Sequence, residues 1–239
     1  MTVTLAGIDK KTGRAWIGSD SCASDSISHS TVNNNKVFHP VGRRDILIGC
    51  AGTFRMPNLL QYIPGIFPDE EDIATDDIDM SYLVNEFTPV IRAITDDFDE
   101  DDAWELLIAV GDRLYHMQMD LSIIEPADDA DAIGIGGSVA LGAFRVLNEL
   151  VPDRPIEDRI SHALQVACDS CQGCRGPFKI MQTEPLPEDI VAKAKENVKN
   201  LERRGYCLER HDDLVIVDDD DSNSLSRKKK KDKKHKRHR

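Results

Sequence analysis

Residues 2–20, TVTLAGIDKKTGRAWIGSD, hold two short β-rich runs, TVTLAGID and RAWIGSD, on either side of Lys10-Lys11-Thr12-Gly13. Alternating apolar positions around a glycine-containing turn read as an antiparallel hairpin. The same stretch puts a threonine directly behind the initiator methionine. A small second residue lets that methionine be trimmed, which would leave Thr2 carrying a hydroxyl and a free α-amine together. A nucleophile with an amine as its base is a known catalytic device.

Further along the chain, the runs KVFHP (36–40) and DILIGCAG (45–52) read as further strands, and 53–62 as a short helix with Pro57 in its first turn. ELLIAV (105–110) and RLYHMQM (113–119), separated by Gly111-Asp112, read as a second hairpin. DAIGIGG (131–137) is a strand that runs into the helix SVALGAFRVLNEL (138–150). Pro155 opens another helix, PIEDRISHALQVACDSC (155–171), and GPFKIMQ (176–182) is the last strand. Strands and helices come in segregated runs, which fits antiparallel sheets faced by helices and not a parallel βαβ arrangement. The fold class is therefore α+β.

At 239 residues the chain is long enough for one large domain. Its formal charge of −13 is unevenly spread: residues 227–239, RKKKKDKKHKRHR, carry a net +9, leaving −22 on the rest. An acidic body argues against general nucleic-acid binding by the folded part. Residues 69–102 hold fourteen Asp/Glu against one basic residue, Arg92. Within them Leu83, Val84, Phe87, Val90, Ile91, Ile94 and Phe98 recur at helical spacing, predicting an exposed amphipathic helix near 80–97 with Pro89 as a kink. No run approaches the length of a membrane span and no signal pattern opens the chain, so a cytoplasmic protein is expected, without membrane partners. The six cysteines are then read as reduced thiols.

Three segments follow. Residues 1–183 form the main domain, 184–210 a charged amphipathic helix (PEDIVAKAKENVKNLERRG, stopped by Gly205), and 211–239 an acidic then basic tail with too few apolar residues to offset ordering.

The polar candidates lie at strand ends. Asp20 and Ser21 follow the second strand, Lys36 starts the next ordered segment, and Cys50-Ala51-Gly52-Thr53 joins a strand to a helix whose N–H groups could hold an oxyanion. Asp20 as a turn former and Lys36 as a solvated charge are the plain alternatives. Cys168-x-x-Cys171-x-x-Cys174 invites a metal reading, but an iron–sulfur run needs a cysteine where Phe178 stands, and only His162 lies near enough to complete a zinc set. These cysteines are read as packing residues, and no metal or other cofactor is expected. Gly134-x-Gly136-Gly137 lacks the spacing and βαβ context of a dinucleotide loop.

In this order, TVTLA, WIGSDS, NKVF, LIGCAGT and AIGIGGSVALGAF resemble the proteasome-type N-terminal nucleophile (Ntn) hydrolases, the family of the proteasome β subunits and the HslV peptidase. The resemblance covers about residues 2–183. Arg55-Met56 and the Arg175–Phe178 run (RGPF) point toward compact phage and bacterial members. It implies a four-layer αββα sandwich and a threonine-type peptidase. Thr2 would be the nucleophile once Met1 is removed, with its own amine as base. Lys36 would lower the amine's pKa and stabilise charge, Asp20 would hold Lys36, and the Gly52 N–H would form the oxyanion hole. As polar groups at strand ends, Lys36 and Asp20 are expected to serve the site and not the fold.

The resemblance further implies self-assembly into a ring, peptide or unfolded-protein substrates, and a separate ATP-dependent unfoldase. Two departures stand out. The first hairpin turn is two residues longer than the family's, and Ile135 occupies the place of the serine in its Gly-Ser-Gly-Gly turn. Asp169 and Ser170 fall where the family has polar support for the site. Two other readings stay open: a catalytically silent, ring-forming or scaffolding member, and a nucleic-acid-associated protein acting through its basic tail. That tail has no aromatic residue for base stacking, so it would hold nucleic acid or an acidic surface by charge alone.

Overall fold

A computed structural model describes residues 2–24, 29–33, 35–99, 101–188, 192, 207–211 and 214–218. The opening hairpin forms as expected: β1 (Thr4–Asp9) pairs antiparallel with β2 (Arg14–Ser19), from Thr4 opposite Ser19 to Asp9 opposite Arg14. The turn is closed by Thr12 and Gly13 N–H groups donating to the Asp9 carbonyl, with Gly13 at φ +63°. The polar stretch that follows contains a small hairpin of β3 (Cys22–Ser24) and β4 (His29–Thr31).

Next come β5 (Val37–Phe38), β6 (Ile46–Gly52) and helix α1 (Arg55–Tyr62). The expected helix near 80–97 is present in three pieces: α2 (Met80–Tyr82), a π-helical turn Leu83–Phe87, and α3 (Thr88–Thr95). Pro89 has no N–H to continue the ordinary ladder, and the wider turn just before it absorbs the mismatch, with the Thr88 hydroxyl donating to the Leu83 carbonyl at 2.8 Å. The second hairpin pairs β7 (Trp104–Val110) with β8 (Arg113–Gln118), and a two-residue strand, β9 (Ile123–Ile124), adds to it. Then follow β10 (Ala130–Ile133), α4 (Gly137–Leu150), α5 (Ile156–Ser170) and β11 (Lys179–Gln182).

Among the described residues, two large antiparallel sheets result, with strand orders β10-β1-β2-β11 and β5-β6-β7-β8-β9. Strand periodicity sorts the side chains into three apolar clusters. Val3 and Leu5 join Phe144, Ile160 and Leu164 of the long helices. Ala6, Ala15 and Ile17 of one sheet meet Leu47, Leu107 and Ala109 of the other. Ile46, Ile48, Leu106 and Ile108, on the opposite face of that second sheet, pack against Met56, Leu83, Phe87 and Ile91. The 80–95 segment is thus anchored by one buried apolar face, and Glu86, its single acidic residue, is left exposed.

Residues 207–211 and 214–218 form an antiparallel pair, β12 (Cys207–His211) and β13 (Leu214–Asp218). This departs from the expected unstructured run after 211, because Val215-Ile216-Val217 is a β-branched run that suits a strand. The body of the expected 184–210 helix and the basic 227–239 segment lie outside the described residues.

Candidate active site

Thr2 stands two residues before β1 with only 3% of its surface exposed. Its hydroxyl oxygen accepts a hydrogen bond from Lys36 Nζ at 2.8 Å. The same ammonium donates to Asp20 Oδ1 at 2.8 Å and to the Cys22 carbonyl at 2.7 Å. Its three protons therefore have three acceptors, and the centroid of the Phe54 ring lies 5.8 Å away.

Asp20 is placed where β2 ends. Its Oδ1 accepts the Val3 N–H at 3.1 Å, and its Oδ2 accepts those of Cys22 at 3.1 Å and Arg175 at 3.3 Å. The side chains of Lys36 and Asp20 are 4% and 0% exposed. This corrects the expectation that the two serve the site alone: Asp20 ties three chain segments together, so its carboxylate is also a fold element. The RGPF loop contributes here through its backbone, with Ser21 N–H donating to the Arg175 carbonyl at 3.1 Å.

Thr2 also borders an open cleft of about 390 Å³ whose lining includes Gly52, Glu105, Gly134 and Ile135. Gly52 has φ +101°, and a Cβ there would lie 2.0 Å from the Ala103 carbonyl oxygen, so no other residue fits the strand-to-helix junction. Gly134, at φ +80°, presses on Thr2 in the same way, because its Cβ would fall 2.4 Å from the Thr2 carbonyl oxygen. The Gly136 N–H faces that oxygen at 3.4 Å. The Gly134–Gly137 turn therefore packs directly onto the Thr2 backbone. Ile135 points outward from it, 56% exposed.

The four candidates Thr2, Asp20, Lys36 and Gly52 thus come together at one end of the two sheets. Asp169 and Ser170 do not join them by any described hydrogen bond. Ser170 donates to the Val166 carbonyl and Asp169 accepts from Gln165, both bonds lying within α5. They border a separate recess of about 740 Å³ with Cys22, Cys168, Cys171 and Cys174. Burial pushes the Cys168 thiol up to about 12 and the Cys174 thiol up to about 11, disfavouring the thiolates that bind metals. Among the described residues no group of His, Cys, Asp and Glu is arranged to hold a metal ion, and no helix is long and apolar enough to cross a membrane.

A second polar network, missed in the sequence, adjoins the cleft. Glu105 Oε2 accepts the Gly134 N–H at 3.2 Å, and Glu105 Oε1 lies 3.6 Å from His116 Nε2. His116 Nδ1 stands 2.8 Å from Asp131 Oδ2, bridging the two sheets. Burial pulls the His116 pKa down, but its two carboxylate neighbours outweigh this and push it up to about 9. Glu105 is held below its ordinary value, chiefly by the neighbouring His116. One signal was available: Glu105 and His116 interrupt apolar runs in β7 and β8.

No family model and no curated protein matches the sequence. Solved structures do match the fold. BPH from Thiobacillus denitrificans, in complex with epoxomicin, is 16% identical, with a TM-score of 0.62 over 77% of this chain and 100% of that one. HslV from Trypanosoma brucei is 16% identical, with a TM-score of 0.53 over 75% of this chain and 98% of that one. Anbu (ancestral beta-subunit) from Yersinia bercovieri is 15% identical, with a TM-score of 0.56 over 87% and 99% respectively.

Proposed function

BPH, HslV and Anbu are proteasome-like Ntn hydrolases, and from the fold they share with this chain we propose that it is a threonine-type peptidase subunit. The observation that carries the reading is the 2.8 Å approach of Lys36 Nζ to the Thr2 hydroxyl, with Asp20 holding the lysine from the other side. Removal of Met1 frees the Thr2 α-amine. An ordinary α-amine titrates near about 8, and a cation beside it favours the neutral form, so it can take the hydroxyl proton. Thr2 Oγ then attacks the peptide carbonyl, with the Lys36 charge stabilising the oxygen as it becomes nucleophilic. The Gly52 N–H stabilises the tetrahedral oxyanion. The amine returns the proton to the leaving nitrogen, and water hydrolyses the acyl-enzyme.

The three apolar clusters separating helices, sheet, sheet and helices support the αββα sandwich within this proposal. Ring self-assembly and an ATP-driven unfoldase that feeds unfolded protein belong to it as well, with the cytoplasm as its setting. The basic tail keeps a charge-only role toward nucleic acid or an acidic surface.

Ile135 supports a second reading, a silent ring-forming member, because this turn offers an exposed apolar side chain where the resemblance calls for a serine. Intact mass together with hydrolysis of a fluorogenic peptide separates the two. Loss of Met1 and cleavage abolished by Thr2→Ala support the peptidase. Processed protein that cleaves nothing supports the silent member.

A further inference from the structure

Among the described residues, Glu105 is the one charged side chain in the lining of the cleft beside Thr2, whose walls include the apolar Ala51, Ala103, Trp104, Met119 and Ile135. It lies on β7, where its neighbours Trp104 and Leu106 turn into the core, and its own side chain stays 41% exposed. It is not a free surface acid. The Gly134 N–H fixes one oxygen, and Gly134 in turn abuts Thr2, so the carboxylate is tied to the candidate nucleophile through a single residue. His116 faces the other oxygen, and Asp131 holds His116. A protonated histidine between two carboxylates leaves the trio with one net negative charge, directed to the cleft by the only member that lines it.

Apolar walls with one anchored carboxylate match the two parts of a lysine or arginine side chain, whose methylenes cover apolar surface while the cation seeks an acid. We infer that the cleft binds a Lys or Arg side chain next to the bond cut at Thr2, and that Glu105 sets this preference. The inference rests on the peptidase reading above. His116 and Asp131 are positioning residues that keep Glu105 aimed and ionised.

The test is digestion of reduced, alkylated β-casein by the full-length assembled protein, with every new terminus sequenced by mass spectrometry. The wild type should cut with Lys or Arg at one position flanking the bond. In Glu105→Gln, which keeps an acceptor for the Gly134 N–H, the ratio of cuts beside Lys/Arg to cuts beside Leu should fall about tenfold to a hundredfold, as expected for a lost charged hydrogen bond. Glu105→Lys should shift cutting toward Asp and Glu neighbours. His116→Gln should raise KM for basic peptides while leaving kcat, whereas plain structural damage would depress cleavage beside every residue class. Cleavage without basic preference, or a preference that survives Glu105→Gln, overturns the inference and leaves the peptidase reading standing. No cleavage at all, with Thr2 unlabelled by an epoxyketone, overturns both.

Discussion

Lys36 Nζ stands 2.8 Å from the hydroxyl oxygen of Thr2, and both residues are almost fully enclosed. A lysine so placed has surrendered its hydration to three fixed acceptors, one of them a buried carboxylate. Removing it strands that carboxylate. Lys36→Ala should therefore abolish peptide hydrolysis and also destabilise the fold by about 3–5 kcal/mol. Asp20→Ala should cost a similar amount, since three backbone N–H groups lose their acceptor as well as Lys36 its partner. Asp20→Asn, which keeps acceptor oxygen, should unfold at higher denaturant than Asp20→Ala while remaining inactive. Urea titrations beside activity assays check the series. Thr2→Ala, by contrast, should stay folded and be inactive.

Gly52→Ala should fail for a different reason. The new methyl would meet a backbone carbonyl that no rotamer change can move, at a φ of +101°. A cost of at least about 2 kcal/mol is expected, along with loss of activity through displacement of the junction that borders the cleft. A variant melting with the wild-type midpoint would show that the junction is looser than described.

His116 makes a prediction about pH. Its folded pKa, raised to about 9, exceeds the unfolded value near about 6.5. Below that lower value both states are protonated, and the stabilisation from Asp131 and Glu105 is complete. As pH rises toward 9 the unfolded state binds fewer protons than the native one, and this stabilisation, on the order of 2–3 kcal/mol, is lost. Melting curves at pH 6 and pH 9.5 should show the decline in the wild type, and His116→Gln should flatten it.

Much of the main domain was legible in the chain because the signals were local. The β1–β2 hairpin, β6–β8 and the two long helices each carry their own period and their own turn or cap. Lys36, Asp20 and Gly52 could be proposed from their order along the sequence. What stayed hidden depended on how separate elements meet. The β3–β4 hairpin is built from serine-rich sequence with no β-branched run. Asp169 and Ser170 looked available until their bonds proved to lie within α5. Glu105, His116 and Asp131 come from three strands in two sheets, and nothing in the linear sequence announces that β8 lies across from β10.

A processed Thr2 acting as nucleophile can be caught by covalent labelling. An epoxyketone peptide reacts with both the hydroxyl and the free α-amine of one N-terminal residue. Incubated with purified protein whose intact mass shows Met1 removed, it should add one inhibitor mass per chain, mapping to Thr2 and absent from Lys36→Ala. Protein with a processed Thr2 that gains no adduct and cleaves no peptide would show that Thr2 is not a nucleophile.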